Sequence, residues 1–125
     1  MDLFAYDTGM SAVTDSIDFA GDYDVYRVEL TGGFNYAATV LGASNLGGTL
    51  QDPYVQVYDS QSRELLYQLD DSQILGYDPL LEFQAPFSGT YDIVVGGIGE
   101  NSGSYTFTVD HGGVPTYLSG LPEGL

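Results

Sequence analysis

The stretch Val25-Tyr26-Arg27-Val28-Glu29-Leu30 alternates strictly: Tyr26, Val28 and Leu30 fall on one side of an extended chain, Arg27 and Glu29 on the other. A period of two marks a strand with one buried and one solvated face. The same rhythm recurs in both directions. Upstream, Ser16-Ile17-Asp18-Phe19 predicts a first strand with Ile17 and Phe19 inward. Downstream, the inner faces read Tyr36, Ala38 and Val40; Val55 and Val57; Leu81 and Phe83; Tyr91, Ile93 and Val95; and Tyr105, Phe107 and Val109, with one further run over residues 64–69. Gly (17) and Pro (5) punctuate these runs, at the spacing of roughly ten residues expected of a sandwich or barrel. No window carries a helical period. The expectation is an all-β fold, an eight-stranded antiparallel jelly-roll-like β-sandwich. It spans residues 14–110, with residues 1–13 an N-terminal extension or linker and residues 111–125 a C-terminal linker or tail.

Composition narrows the function classes. Eighteen acidic residues face two basic ones, a formal net charge of −16. Such a surface lacks the Lys and Arg that displace counterions from phosphates, so nucleic acid is excluded as a partner and anionic membranes are disfavoured. With 43% hydrophobic residues, 11 Tyr and 6 Phe, the chain has too much apolar area to stay disordered. There is no cysteine, which removes disulfides and thiolate metal sites. No apolar run approaches the ~20 residues of a membrane span, so no membrane insertion is expected. Met1-Asp2-Leu3-Phe4 has no basic n-region, and the chain is expected to be one domain of a larger multidomain protein.

Where the acids fall is more informative than their number. Leu69-Asp70-Asp71-Ser72-Gln73-Ile74-Leu75-Gly76-Tyr77-Asp78-Pro79 gathers three carboxylates in one inter-strand loop, and Gln51-Asp52-Pro53 adds a fourth. If every connection reverses the chain, loops 20–24, 42–52, 70–79 and 96–103 share one end of the sandwich and bring Asp22, Asp24, Asp52, Asp70, Asp71, Asp78 and Glu100 together. At the other end Asp59 stands alone among the loop acids, with Arg63 expected to answer it. Clustered carboxylates without basic partners repel one another unless a cation intervenes, and Ca²⁺ takes six to eight oxygen ligands. The expected calcium ligands are Asp52, Asp70, Asp71 and Asp78, with Asp22 and Asp24 serving the same ion or a second one. Plain solubility is the alternative reading of the acidity. Glu100 and Asn101 read as solvated surface.

Other chemistry is poorly supplied. His111 is the one histidine, between Asp110 and Gly112, so a Ser-His-Asp triad has little to draw on. Gly96-Gly97-Ile98-Gly99-Glu100-Asn101 is a single copy of a motif that requires stacked repeats, and it reads as a turn. Asp22-Tyr23-Asp24 lacks the remaining ligands of an EF-hand. A carboxylate pair acting on a polysaccharide is the residual enzymatic reading. The outward Tyr54, Gln56 and Tyr58, together with Tyr77 on the acidic loop, are candidates for gripping a peptide or stacking on a sugar. Cross-strand pairing is the bland alternative for them.

Several blocks agree in order with a known family: Gly21-Asp22-Tyr23-Asp24-Val25-Tyr26-Arg27-Val28, Asp52-Pro53-Tyr54-Val55-Gln56-Val57-Tyr58-Asp59, Asp70-Asp71 with Asp78, and Ser88-Gly89-Thr90-Tyr91-Asp92-Ile93-Val94-Val95-Gly96-Gly97 followed by Gly103-Ser104-Tyr105-Thr106-Phe107-Thr108-Val109. Over residues 17–109 the chain resembles the bacterial pre-peptidase C-terminal domain family. Val25 stands where members commonly carry Trp, and Asp7-Thr8 replaces a Glu-Pro-Asn-Asp opening that ligates calcium in some relatives. The resemblance implies a non-catalytic β-sandwich attached to secreted proteases, RTX-type exoproteins or adhesins, and related modules of collagenases bind calcium and dock onto substrate. The resulting expectation is a calcium-binding accessory domain of a secreted or cell-surface protein, docking onto an extracellular protein, peptide or polysaccharide. The alternatives are a calcium-rigidified spacer with no ligand of its own and a small carboxylate-based polysaccharide hydrolase or lyase.

Overall fold

A computed structural model describes residues 11–71 and 75–110. Eight strands follow one another: β1 (Ser11–Ile17), β2 (Tyr23–Leu30), β3 (Asn35–Leu41), β4 (Pro53–Asp59), β5 (Leu65–Leu69), β6 (Leu80–Gln84), β7 (Gly89–Gly97) and β8 (Gly103–Asp110). They form two four-stranded antiparallel sheets, ordered β1-β8-β3-β6 and β2-β7-β4-β5. Apart from the β4–β5 hairpin, each connection carries the chain from one sheet to the other. The protein is therefore an antiparallel β-sandwich with its core between the two inner faces.

Alternation in the sequence becomes rows of side chains in the core. In the β2 sheet Tyr26 and Val57 flank Ile93, and Val28 lies opposite Tyr91. In the β1 sheet Ala38 pairs with Val109, Val40 with Phe107 and Tyr36 with Phe83. All of these are buried. The Tyr26 ring stacks on Phe107 of the opposite sheet, centroids 4.8 Å apart, and Tyr67 packs on Phe83 across the same gap at 5.1 Å.

Four fully buried tyrosines, Tyr26, Tyr36, Tyr91 and Tyr105, explain why the core uses Tyr where Phe would fill the space. A buried phenol is tolerated when its hydroxyl finds a partner, and each one does. Tyr36 Oη accepts from Thr31 N (2.9 Å). Tyr91 Oη accepts from Phe87 N (3.1 Å) and donates to Phe87 O (2.5 Å), pinning the turn before β7. Tyr105 Oη donates to Asp24 Oδ2 (2.6 Å) and meets Tyr26 Oη (2.6 Å), tying β8 to β2 across the gap.

Two expectations are corrected. The first strand lies earlier than residues 16–19: β1 ends at Ile17, opposite Gly103, and Phe19 is 63% exposed. The chain turns straight after Ile17, with Asp18 N donating to Asp22 Oδ2 (3.1 Å) and Asp22 N to Phe19 O (3.0 Å). The polar turn overrides the apparent alternation of Ile17 and Phe19. The second correction is a single 3₁₀ turn at Ala43–Asn45, within a stretch read as irregular loop. The 111–125 tail, His111 and residues 1–10 lie outside the described residues.

The loops sort by end as expected. Thr49 N and Leu50 N both donate to Ser104 O (3.0 and 2.9 Å), Ile98 N to Asp52 O (2.8 Å) and Asn45 Nδ2 to Leu75 O (2.8 Å), so loops 42–52, 75–79 and 98–104 are knitted together. At the opposite end Gly33 N donates to Ala85 O (2.8 Å) and Ser60 N to Thr90 O (3.3 Å).

Replacing Tyr105 by Phe removes the hydroxyl shared by Asp24 and Tyr26, leaving Asp24 without its phenol donor and Tyr26 with only its bond to Asp15, which costs about 1–3 kcal/mol. Tyr67→Phe deletes only the exposed bond to Gln84 O and is expected to cost roughly 1 kcal/mol or less. Urea unfolding of the two variants measures the difference, and equal losses would contradict a structural role for the inter-sheet phenol pair.

Candidate functional site

The acidic pole is built on the loop that leaves β3. Ala43 N donates to Leu50 O (2.8 Å), and the buried Leu50 anchors the return of the chain into β4. The closure needs Gly42: a Cβ there would lie 2.1 Å from Leu50 O and 3.3 Å from Asp78 Oδ1. Asn45, on the 3₁₀ turn, donates through Nδ2 to Asp78 Oδ2 (2.8 Å) as well as to Leu75 O. Asp78 is fully buried under this cover. Asn45 is a residue the sequence reading missed; its one signal is a polar amide inside a Gly-rich loop facing an acidic one.

Asp52 is the unsettled member of the group. Its Oδ1 is buried and accepts no hydrogen bond. Burial, followed by the charges of Asp71, Asp70 and Asp78, pushes its carboxyl above the ordinary aspartate value of 3.8. The four expected ligands thus share one electrostatic environment. Among the described residues no three acids converge closely enough to make a ready chelate. Asp70 and Asp71 are exposed. An open cleft of about 530 Å³ beside Asp52 is lined by Ala43, Ser44, Gln51, Tyr77 and Asn101. Tyr77, 62% exposed, belongs to this cleft and not with Tyr54, Gln56 and Tyr58.

Asp22 and Asp24 form a separate group. Asp24 accepts from Tyr105, and its carboxyl is raised by burial against the lowering effect of that bond, with Asp15, Asp22 and Asp18 adding to the rise. Tyr26 donates to Asp15 Oδ2 (3.3 Å), and burial pushes its phenol up to about 12. The companions of Asp22 and Asp24 are therefore Asp15, in β1, and Asp18, on the β1–β2 turn, which the sequence reading did not single out.

A second feature lies on the outer face of the β2 sheet. Tyr54 stands opposite Gly96, Gln56 between Val94 and Gln68, and Tyr58 opposite Asp92. With Tyr23, Val25, Arg63, Asp92 and Val94 they line a groove of about 370 Å³. Gly96 lets the Tyr54 ring lie down on the sheet, since a Cβ at residue 96 would sit 2.4 Å from Cζ. Burial, then the neighbouring phenols Tyr58 and Tyr23, raises the Tyr54 hydroxyl. Gln56 is held by a cross-strand bond, donating to Gln68 Oε1 (3.2 Å), and by one within β4, accepting from Tyr58 Oη (3.0 Å).

The expected Asp59–Arg63 pair does not form. Asp59 caps its own turn, accepting from Gln61 N (3.0 Å) and Ser62 Oγ (2.9 Å), and these bonds hold its carboxyl below 3.8. The ion pair among the described residues is Arg27 Nε to Asp92 Oδ1, 3.0 Å.

No protein-family model matches the chain, and no curated protein matches it. Among solved structures, the pre-peptidase C-terminal domain of a collagenase from Bacillus anthracis is similar at 20% identity and a TM-score of 0.60, covering 87% of this chain and 94% of that one. PliG of Aeromonas hydrophila, a periplasmic inhibitor of g-type lysozyme, is similar at 14% identity and a TM-score of 0.60, over 87% and 97% of the two chains. At these identities the shared property is the fold.

Proposed function

We propose that the chain is a calcium-binding accessory domain of the pre-peptidase C-terminal kind, jelly-roll-like in connectivity, from a bacterial protein that is secreted or held at the cell surface. It performs no chemistry itself and docks its parent protein onto an extracellular protein or polysaccharide. The observation that carries the calcium reading is Asp52: a carboxylate oxygen buried without a hydrogen bond, beside acids that raise its pKa. That arrangement costs free energy in the absence of a cation. Asp52, Asp70, Asp71 and Asp78 offer the hard oxygen donors calcium prefers. An extracellular domain without cysteine gains from a ligand that binds only the folded state. The groove around Tyr54, Gln56 and Tyr58 supports the docking half of the reading, and the likeness to a collagenase domain supports the accessory role.

Calcium should raise the melting temperature. For a site with a dissociation constant on the order of 10⁻⁴ M, about 10 mM calcium stabilises by about 2.7 kcal/mol, roughly 10 °C for a domain of this size. Asp71→Asn should lose most of this increment and Glu64→Gln, exposed at the other end, none of it. An unchanged melting temperature on adding calcium ends the proposal.

The pH dependence carries its own sign. Asp52 has a folded pKa above the 3.8 of the ordinary group, so between the two values the folded state holds more protons than the unfolded one. Stability of the metal-free protein should fall as pH rises through that interval. Calcium needs the deprotonated carboxylate, so with calcium present the slope should reverse. Asp52→Asn should flatten both slopes and, in EDTA at neutral pH, be about 1 kcal/mol more stable than wild type. Thermal unfolding across pH in EDTA and in calcium measures all three; a destabilised Asp52→Asn in EDTA would show that the carboxylate is satisfied without metal.

A further inference from the structure

We infer that the groove on the outer face of the β2 sheet binds an acidic polysaccharide, a chain of pyranose rings bearing carboxylates, with the Tyr54 ring as stacking platform and Arg63 as partner of the carboxylate. The inference rests on the docking half of the proposed function and is independent of the calcium half.

Charge points to the anion. The whole chain has two basic side chains, Arg27 and Arg63, against eighteen acids. Arg27 is neutralised by Asp92. Of the two acids nearest Arg63 in the chain, Glu64 is exposed beside it and makes no ion pair with it, and Asp59 spends its oxygens on Gln61 and Ser62. Arg63 is not favoured by its turn either: its φ of 66° lies in the left-handed region, where Gly or Asn costs less.

 Arg63 takes part in no ion pair among the described residues, and it lines the groove with Tyr58 and with Asp92, whose carboxylate is already held by Arg27. The carboxylates of the acidic pole lie at the other end of β4. Tyr54 to Tyr58 spans roughly 13 Å at strand rise, beyond the Debye length of about 8 Å at physiological ionic strength. Local groups therefore decide what Arg63 attracts.

Shape points to the sugar. Tyr54 lies flat over Gly96, and Tyr23, 58% exposed, stands across the groove from it. Flat aromatic faces take the C–H face of a pyranose or a proline ring. A hexuronate carries its carboxylate on the ring itself, so one residue of the ligand can meet Tyr58 and Arg63 together. An arginine fork binds a carboxylate through two parallel bonds. An extended peptide is less well served. The groove lies on a sheet face, where the strand backbones are already paired with one another, so there is no free ladder to join.

The test is isothermal titration with oligogalacturonate, its fully methyl-esterified form and a Pro/Glu peptide, each in EDTA and in calcium, below the melting transition. Wild type should bind oligogalacturonate in EDTA. Arg63→Gln should weaken it about tenfold or more, and so should esterifying the ligand, but the two losses should not add, because they remove the same contact. Arg63→Gly, which suits the left-handed backbone, should reproduce Arg63→Gln and exclude misfolding as the cause. Tyr54→Ala should weaken the charged and esterified oligomers alike. Binding that needs calcium and ignores Arg63→Gln would place the anion at the metal pole and overturn the inference. Arg63-dependent binding of the peptide alone would overturn the ligand class, and no binding of any probe would overturn the site. None of these outcomes bears on whether calcium raises the melting temperature.

Discussion

The hydroxyls of Tyr26 and Tyr105 meet at 2.6 Å between the two sheets, and the chain of contacts continues to Asp24 on one side and Asp15 on the other. Sheet-on-sheet packing requires apolar inner faces, yet this core ends in phenols whose polar tips must be answered. They are answered by carboxylates at the rim. The same bonds that let large aromatic rings fill the sandwich thus fix acids at one end of it, where Asp22 and Asp18 extend the group. Concentration of negative charge at that end is partly a consequence of how the core is closed.

The inner faces were legible because period two survives wherever one face is buried. Tyr26, Val28, Val55, Val57, Ile93, Val95, Tyr105 and Phe107 all lie where alternation put them. Loop parity was legible too, since it follows from antiparallel reversal alone. Phe19 was misread because alternation cannot report where a strand stops; the turn bonds of Asp18 and Asp22 do that. Arg63 was misread for a related reason. Opposite charges four residues apart suggest a pair, but Asp59 finds backbone and hydroxyl donors nearer in the turn. Asn45 was invisible because its partners, Leu75 and Asp78, come from another loop.

The two candidate surfaces have opposite electrostatic character. At the pole, acids raise one another's pKa and the local need is for a cation. On the sheet face Asp92 is paired with Arg27, Glu29 accepts from Thr90 Oγ1 and Asp59 from its own turn, and Arg63 is a cation without an ion pair among the described residues. A uniform coat of acid, kept for solubility, would not leave a cation in an aromatic groove.

The groove begins near the pole, at Tyr54 and Tyr23, and runs along β4 towards Arg63. An anionic chain lying in it is therefore repelled at one end and attracted at the other, which fixes the direction in which its charge is best placed. Calcium at the pole would reduce the repulsion without touching the attraction. By linkage, any such gain in ligand affinity must appear equally as a gain in calcium affinity when the groove is filled. Screening over the length of the groove keeps this coupling small, so the two sites act as near-independent contributions: the metal sets how firmly the sandwich holds together, and the groove sets what it holds on to.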